Sequence, residues 1–256
     1  MNVFTVVSLF PELIQAFATI GIVRRAQEQG HIVVNTVDPR SLTSDRRGNV
    51  DDAPYGGGPG MVLTVPPLRA AIDAARSNGA DRSAVVYLSP QGQRIDQQVI
   101  GEFTSIEHLI LVAGRYEGID ERVIERDIDM ELSLGDFVMS GGEVAAMAVI
   151  DAVVRLLPGS LGSDLSTQSD SFTDGLLEHG QYTRPERIDG QPVPSVLLSG
   201  DHAEIERWRR KQSLGRTWVK RPDLLRSANL SEHDRQLLEE FQAEAQASGT
   251  AGTHND

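Results

Sequence analysis

Residues 85–157, VVYLSPQGQRIDQQVIGEFTSIEHLILVAGRYEGIDERVIERDIDMELSLGDFVMSGGEVAAMAVIDAVVRLL, decide the fold. Short apolar runs alternate here with segments of helical spacing. Residues 85–88 (VVYL) and 109–113 (LILVA) read as strands buried on both faces, and 132–139 as an extended segment. Residues 96–103 and 119–126 read as short helices. The alternation predicts an α/β fold, a mainly parallel sheet with helices packed on it. The last segment, 144–157, is a helix that is apolar nearly all round, apart from Asp151 and Arg155. A helix without a polar face has to be covered on several sides, by its own domain or by another subunit.

Toward the N-terminus, residues 2–10 read as a buried strand, and Pro11 and Glu12 suit the first turn of a helix. Residues 32–37 form a second strand candidate. Residues 66–76 read as a helix that starts on Pro66 and stops at Asn78-Gly79. Toward the C-terminus, Pro158-Gly159 ends the apolar helix, and residues 160–174, rich in Ser, Asp, Thr and Gly, read as a connection. Residues 200–212 and 231–247 look like amphipathic helices of a smaller second domain. The expected organisation is a first domain over 1–162, a linker over 163–173, a helical domain over 174–247 and a disordered tail over 248–256.

The 256 residues carry a formal net charge of -13 and a sequence pI of about 4.9. Taken alone, that balance argues against nucleic acid, because phosphate binding usually leaves a basic footprint. The average hides a local excess. Between Glu204 and Arg226 stand Arg207, Arg209, Arg210, Lys211, Arg216, Lys220, Arg221 and Arg226, against Glu204, Glu206 and Asp223. Trp208 and Trp218 interleave with these cations, which suits either RNA contact or a helix with a tryptophan core and a solvated basic face. The absence of cysteine excludes disulfides, thiolate metal sites and thiol nucleophiles, and fits a cytoplasmic location. Met1–Leu9 lacks the basic flank of a secretory signal, and no segment approaches the length of a membrane span. The six histidines show no metal-binding spacing.

Two glycine-bearing loops follow predicted strands, YLSPQG (87–92) and GRYEG (114–118), and a third, SLGDFVMSGG (133–142), precedes the apolar helix. Strand C-termini are where open α/β sheets bind ligands. The three loops suit either one pocket for a flat polar molecule or ordinary β–α connections. The run DDAPYGGGPGM (51–61) has Met61-Val62 where a P-loop needs Lys and Ser or Thr, so its residues favour a structural turn. Asp151 and Arg155 stand four apart, the spacing of an intrahelical ion pair. Asp170, in QSDSF, would pass for an ordinary loop carboxylate on its own.

Taken together, VDDAPYGGGPGM, YLSPQG, GRYEGIDER, SLGDFVMSGGE, DSFTDGLLEHGQYTRPE and WRRKQSLGRTW resemble, in order and spacing, the bacterial tRNA guanine-37 N-1 methyltransferases, the TrmD family. The resemblance runs from the first strand to about Arg226. It implies the SPOUT fold, with a deep trefoil knot that holds S-adenosylmethionine and a small helical C-terminal domain that binds tRNA. By motif position it implies cofactor contacts from Tyr87, Leu88, Ser89, Gly92, Gly114, Glu117, Ser133, Leu134, Gly135, Asp136, Phe137, Val138, Met139 and Gly141. It makes Asp170 and Arg155 the catalytic pair. It further implies a homodimer with active sites shared between subunits, no DNA or membrane partner, and a benefit from Mg²⁺ with no ligands identified. Ala145 and Arg47 stand where the family often has Pro and His. The competing expectations are another SPOUT RNA methyltransferase, acting on rRNA or a ribose 2′-hydroxyl, and an inactive RNA-binding protein. The Asp170 linker motif and the TRPE-containing second domain argue against the first, and the retention of Asp170, Arg155 and every cofactor loop argues against the second.

Overall fold

A continuous run of apolar and β-branched residues makes VFTVV a strand, and Pro11 after it starts a helix. In the computed structural model, which describes residues 1–77, 82–160 and 170–247, β1 spans Asn2–Val7 and α1 Pro11–Ala18. Then follow α2 (Gly21–Glu28), β2 (Ile32–Val37), β3 (Asp51–Asp52), β4 (Val62–Leu63) and α3 (Val65–Arg76). Next come β5 (Ser83–Arg94), α4 (Gln97–Phe103), β6 (His108–Ala113), α5 (Glu121–Asp127), β7 (Met130–Ser133) and α6 (Glu143–Leu156). The chain divides into two compact units, Met1–Asp164 and Leu165–Asp256.

The first unit is built on a five-stranded sheet in the order β2-β1-β6-β5-β7, with every pair parallel. Strand β6 lies at its centre, and all six of its residues are buried. One face of the sheet packs on α1, α2, α4 and α6 through Phe4, Leu111, Val149 and Ile150. The other packs on α3 and α5 through Val7, Leu68, Ile72 and Val123. Each fully buried side chain of this kind contributes roughly 1.5–3 kcal/mol relative to exposure. The double coverage explains why the strands read as unbroken apolar runs rather than alternating ones.

Three expectations shift. Strand β5 extends to Arg94 because it rejoins β7 after a bulge: Leu88 and Gln93 both pair with Leu132. The extended segment expected over 132–139 is a strand only to Ser133, and its remainder is irregular. Helix α6 has a solvent-facing stripe, with Val144, Ala148, Asp151 and Arg155 exposed, and no Asp151–Arg155 ion pair forms among the described residues. The expected Asn78-Gly79 stop, most of the linker and the tail lie outside the described residues.

The second unit holds β8 (Arg187–Ile188), β9 (Gln191–Pro192), α7 (His202–Lys220), α8 (Pro222–Ser227) and α9 (Glu232–Ala247). Its small core gathers Leu176, Leu214 and Leu237. Helix α7 runs past its expected end at Gln212 and carries Gly215 in its middle. A Cβ there would lie 2.4 Å from the Phe241 ring, so the glycine is the condition for α7 and α9 to approach.

Candidate active site

The ends of β6 and β7 flank the bulge inside β5 in the sheet, so that bulge, which holds the first of the three glycine-bearing segments, and the loops that leave β6 and β7 converge on one cleft. From the first loop Tyr87, Leu88 and Ser89 line it; from the second, Gly114 and Glu117; from the third, Ser133, Leu134, Gly135, Phe137, Val138, Met139 and Gly141. Two residues expected at the cofactor are not in the lining. Asp136 is exposed. Gly92 is pressed against the next strand: a Cβ there would fall 2.3 Å from the Leu132 amide nitrogen. Its glycine is demanded by the close passage of two backbones. The lining also includes Arg115, Tyr116, Leu132, Gly142 and Ala145, which motif matching did not single out. Their signal is position: each lies in or at the end of one of the three glycine-bearing segments or in the first turn of α6.

Glycines set the cleft's width. Gly114 is buried, and a Cβ on it would come 2.8 Å from the Tyr87 hydroxyl. Burial, reinforced by the Glu131 carboxylate, pushes Tyr87 up to about 12, so its phenol stays protonated. Gly142 donates its N–H to the Gly114 carbonyl at 3.0 Å, joining the second and third loops. Tyr116 sits at φ 60, a left-handed conformation that costs an aromatic residue about 1–3 kcal/mol and places the side chain on the cleft wall. The third loop is braced at its root, where Ser133 Oγ donates to the Gly135 carbonyl and accepts from its N–H.

The glycine-rich run 51–61 forms the tip of the β3–β4 hairpin, with Gly56, Gly57, Gly58 and Gly60 in left-handed conformations. The hairpin is tied to the second loop by Glu117 N–H to the Met61 carbonyl and Leu63 N–H to the Gly118 carbonyl, both 3.0 Å. Gly60 has no room for a side chain, because its Cβ would overlap Glu117. Tyr55 at the tip is fully exposed.

The two expected catalytic residues belong to different units. Arg155 stands on the exposed side of α6, outside the cleft lining. Asp170 lines a hollow of the second unit, with Leu176, Glu178, His179, Arg209 and Arg210 among its walls. The basic segment of that unit is largely neutralised from within. Arg207 pairs with Glu240, Arg209 with Glu206, Lys211 with Glu244 and Arg221 with Asp223. Arg210 bridges Asp234 and Asp174. Trp208 is half-buried beside His179 and Tyr182. Arg216, Lys220 and Arg226 form no ion pair among the described residues. Those residues also include no cluster of three or more His, Asp or Glu side chains that could hold a metal ion. No helix among them is long and apolar enough to cross a membrane.

A family model described as tRNA (Guanine-1)-methyltransferase TrmD matches residues 1–227. Among curated relatives, a tRNA (guanine-N(1)-)-methyltransferase of Proteus mirabilis is 56% identical over 239 residues, covering 93% of this chain and 96% of the relative. Proteins of the same name from Pseudoalteromonas atlantica and Halorhodospira halophila are 54% and 51% identical. They cover 94% and 98% of this chain, and 91% and 95% of their own lengths.

Proposed function

The chain belongs to the TrmD family of tRNA (guanine-1)-methyltransferases, and on that premise we propose that it methylates N-1 of guanosine 37, beside the anticodon, in tRNAs with guanosine at position 36. S-adenosylmethionine is the donor, and the cytoplasm is the site of action. The observation that carries the reading is the convergence of three loops on one cleft, lined by all the expected cofactor residues except Gly92 and Asp136.

The cleft suits that donor. Gly114, Gly135, Gly141 and Gly142 offer close backbone walls for a flat ring, and Leu134, Phe137, Met139 and Ala145 offer apolar contact. Glu117 supplies negative charge toward a cationic ligand. When bound, S-adenosylmethionine supplies a methyl group on a sulfonium whose departure leaves a neutral thioether. The contact of Gly92 with the backbone of β7 supports a knotted crossing of the SPOUT kind.

Guanine N-1 carries a proton at neutral pH and is then a poor nucleophile. Asp170 takes that proton as the new N–C bond forms. Arg155 stabilises the negative charge that grows on the neighbouring carbonyl oxygen. A guanine of the anticodon loop is splayed from its stack to reach the cleft. The protein acts as a homodimer, with the cleft of one subunit completed by Asp170 of the other. Exposed Val144, Phe137, Val138, Leu13 and Ile20 on the first unit supply apolar surface for that pairing.

The test is methyl transfer from labelled S-adenosylmethionine to tRNA transcripts that differ only at positions 36 and 37. Transfer should require guanosine at both positions. Asp170→Asn should abolish it while cofactor affinity, read by calorimetry, stays within a few-fold. Normal turnover in that variant would remove Asp170 from the mechanism, and label on another nucleotide would reassign the substrate.

A further inference from the structure

We propose that Arg40, Phe10 and Arg115 form a contact ridge for the phosphates of the RNA substrate at the mouth of the cleft, and that buried Glu143 is the positioning residue that sets it. The inference rests on the tRNA-modifying reading above and adds a surface to it.

Phe10 follows β1 at the C-terminal edge of the sheet and is 43% exposed. Two guanidinium groups lie over its ring, Arg115 Cζ at 4.3 Å and Arg40 Cζ at 5.7 Å from the centroid. Arginine stacked on an aromatic face keeps its planar N–H edge turned outward, the geometry that takes phosphate oxygens in pairs. Arg115 also lines the cleft, so the ridge is continuous with the place the target base must reach.

Arg115 is held on every other side. Its Nη1 donates to the Ser140 carbonyl at 3.1 Å. Behind it a Cβ on Gly141 would come 2.2 Å from Nε. Its Nε lies 2.9 Å from Oε2 of Glu143, which is 1% exposed. That approach is an ion pair whose N–H is not aligned for a hydrogen bond, so both atoms keep unused capacity. The other carboxylate oxygen accepts from Ser8 Oγ at 2.8 Å, and Ser8 Oγ accepts the Phe10 N–H at 2.9 Å. One buried carboxylate therefore reaches both the guanidinium and the ring it stacks on. A carboxylate in this position costs more than an apolar side chain of the same size, and the fixed ridge accounts for it. Nη2 of Arg115 makes no hydrogen bond among the described residues, and the side chain keeps 21% exposure.

The occupant follows from charge. The chain is acidic overall, and most cations of the basic segment in the second unit are spent on internal carboxylates. Arg40 donates to the Leu9 carbonyl and lies 4.0 Å from the Asp38 carboxylate, a loose surface contact that leaves its charge open to a polyanion presenting a base at the cleft.

The experiment measures binding of a tRNA transcript with guanosine at 36 and 37 over a series of salt concentrations. Phe10→Ala and Arg40→Gln, both at the surface, should each weaken binding about ten-fold at low salt. Arg40→Gln should also reduce the salt slope by roughly 0.7–0.9. Glu143→Gln should raise KM for tRNA while kcat stays within a few-fold. The double variant Phe10→Ala/Glu143→Gln should bind no worse than Phe10→Ala alone, because both remove the same platform. Parent affinity and parent salt slope in both surface variants would overturn the ridge. So would a shift of oligomeric state in sedimentation with unchanged tRNA affinity, which would make this face a subunit contact. Additive losses in the double variant would reduce Glu143 to a stabilising residue. A parent protein that binds the transcript without methylating it would refute the assigned reaction, and the binding comparison would still decide the ridge.

Discussion

At Gly92 the missing side chain is occupied by another strand. The atoms a Cβ would meet, Leu132 N and the Glu131 carbonyl group, are backbone and cannot rotate away. Gly92→Ala is therefore expected to destabilise the first unit by about 3 kcal/mol or more, read as a lower midpoint in denaturant, and not as a selective loss of cofactor affinity. Gly114 behaves differently, because its obstacle is the Tyr87 side chain. Arg155 differs again: it stands outside the cleft lining, so Arg155→Ala should lower turnover with the donor affinity kept within a few-fold. Equal loss of both would place Arg155 in donor binding instead. The sequence pattern told these residues apart only in part. A glycine in a motif looks the same whether it touches a ligand or another strand, and at Gly92 the sequence alone does not separate the two. Arg115 carries no such mark, because its role comes from Glu143, which lies far from it in sequence.

The α7–α9 pair shows how an element can disguise its own charges. Arg210 keeps the Asp234 carboxyl well below the usual range, at about 2, with the Ser231 hydroxyl and N–H assisting. A folded-state value below the unfolded one means that this contribution is complete above about pH 4 and is lost as the pH falls toward 2. Thermal unfolding should show the second unit weakening through that window, and Asp234→Asn should remove most of the slope. The first unit has an opposite case in β6. Burial lowers His108, whose Nε2 lies 2.8 Å from Thr5 Oγ1, so it is neutral when folded. Unfolded histidine binds the proton more readily, so stability present above about pH 6.5 declines as the pH falls below it. His108→Gln should flatten that decline. Among cations, Arg207, Arg210 and Lys211 reach α9. Alanine at Arg209, Arg210 and Lys211 would therefore loosen the helix pair as well as alter RNA binding. Lys220→Ala with Arg226→Ala is the cleaner probe: both residues are exposed, and tRNA affinity should drop without a change in melting temperature. The elements themselves were legible where an apolar run is bounded by polar residues, as in the fully buried β6 and the half-buried edge strand β2, because such runs define strands locally. They were less legible where a distant partner decides. The second half of β5 exists through its pairing with β7, and the second half of α7 exists because Phe241 offsets a mid-helix glycine worth about 1 kcal/mol against helix. The pairing of the basic face was also hidden, since its carboxylates lie some 24 to 33 residues away.

At the scale of the whole molecule, the proposed assembly puts two lesions in reach of a decisive experiment. Arg155 and the cleft belong to one unit and Asp170 to the other, while α6 exposes Val144 on a helix otherwise buried along Ala145, Val149 and Val153. If the cleft of one subunit is completed by Asp170 of its partner, two dead proteins can restore each other. Gly114→Trp places a large side chain against Tyr87 and fills the cleft, and Asp170→Ala removes the base. Unfolded and refolded together in equal amounts, they should form mixed dimers about half the time if pairing is random and two-fold symmetric. In each mixed dimer one shared site collects both lesions and the other has none, so about a quarter of the parental sites should return. The return should be absent when the two proteins are mixed without unfolding, provided that subunits do not exchange. If each site instead lay within one chain, every site would carry a lesion and the mixture would stay inactive. Heterodimers confirmed by mass and lacking any transfer would therefore refute the shared site. Activity from two inactive parents would establish it and would fix Asp170 as the group supplied across the interface.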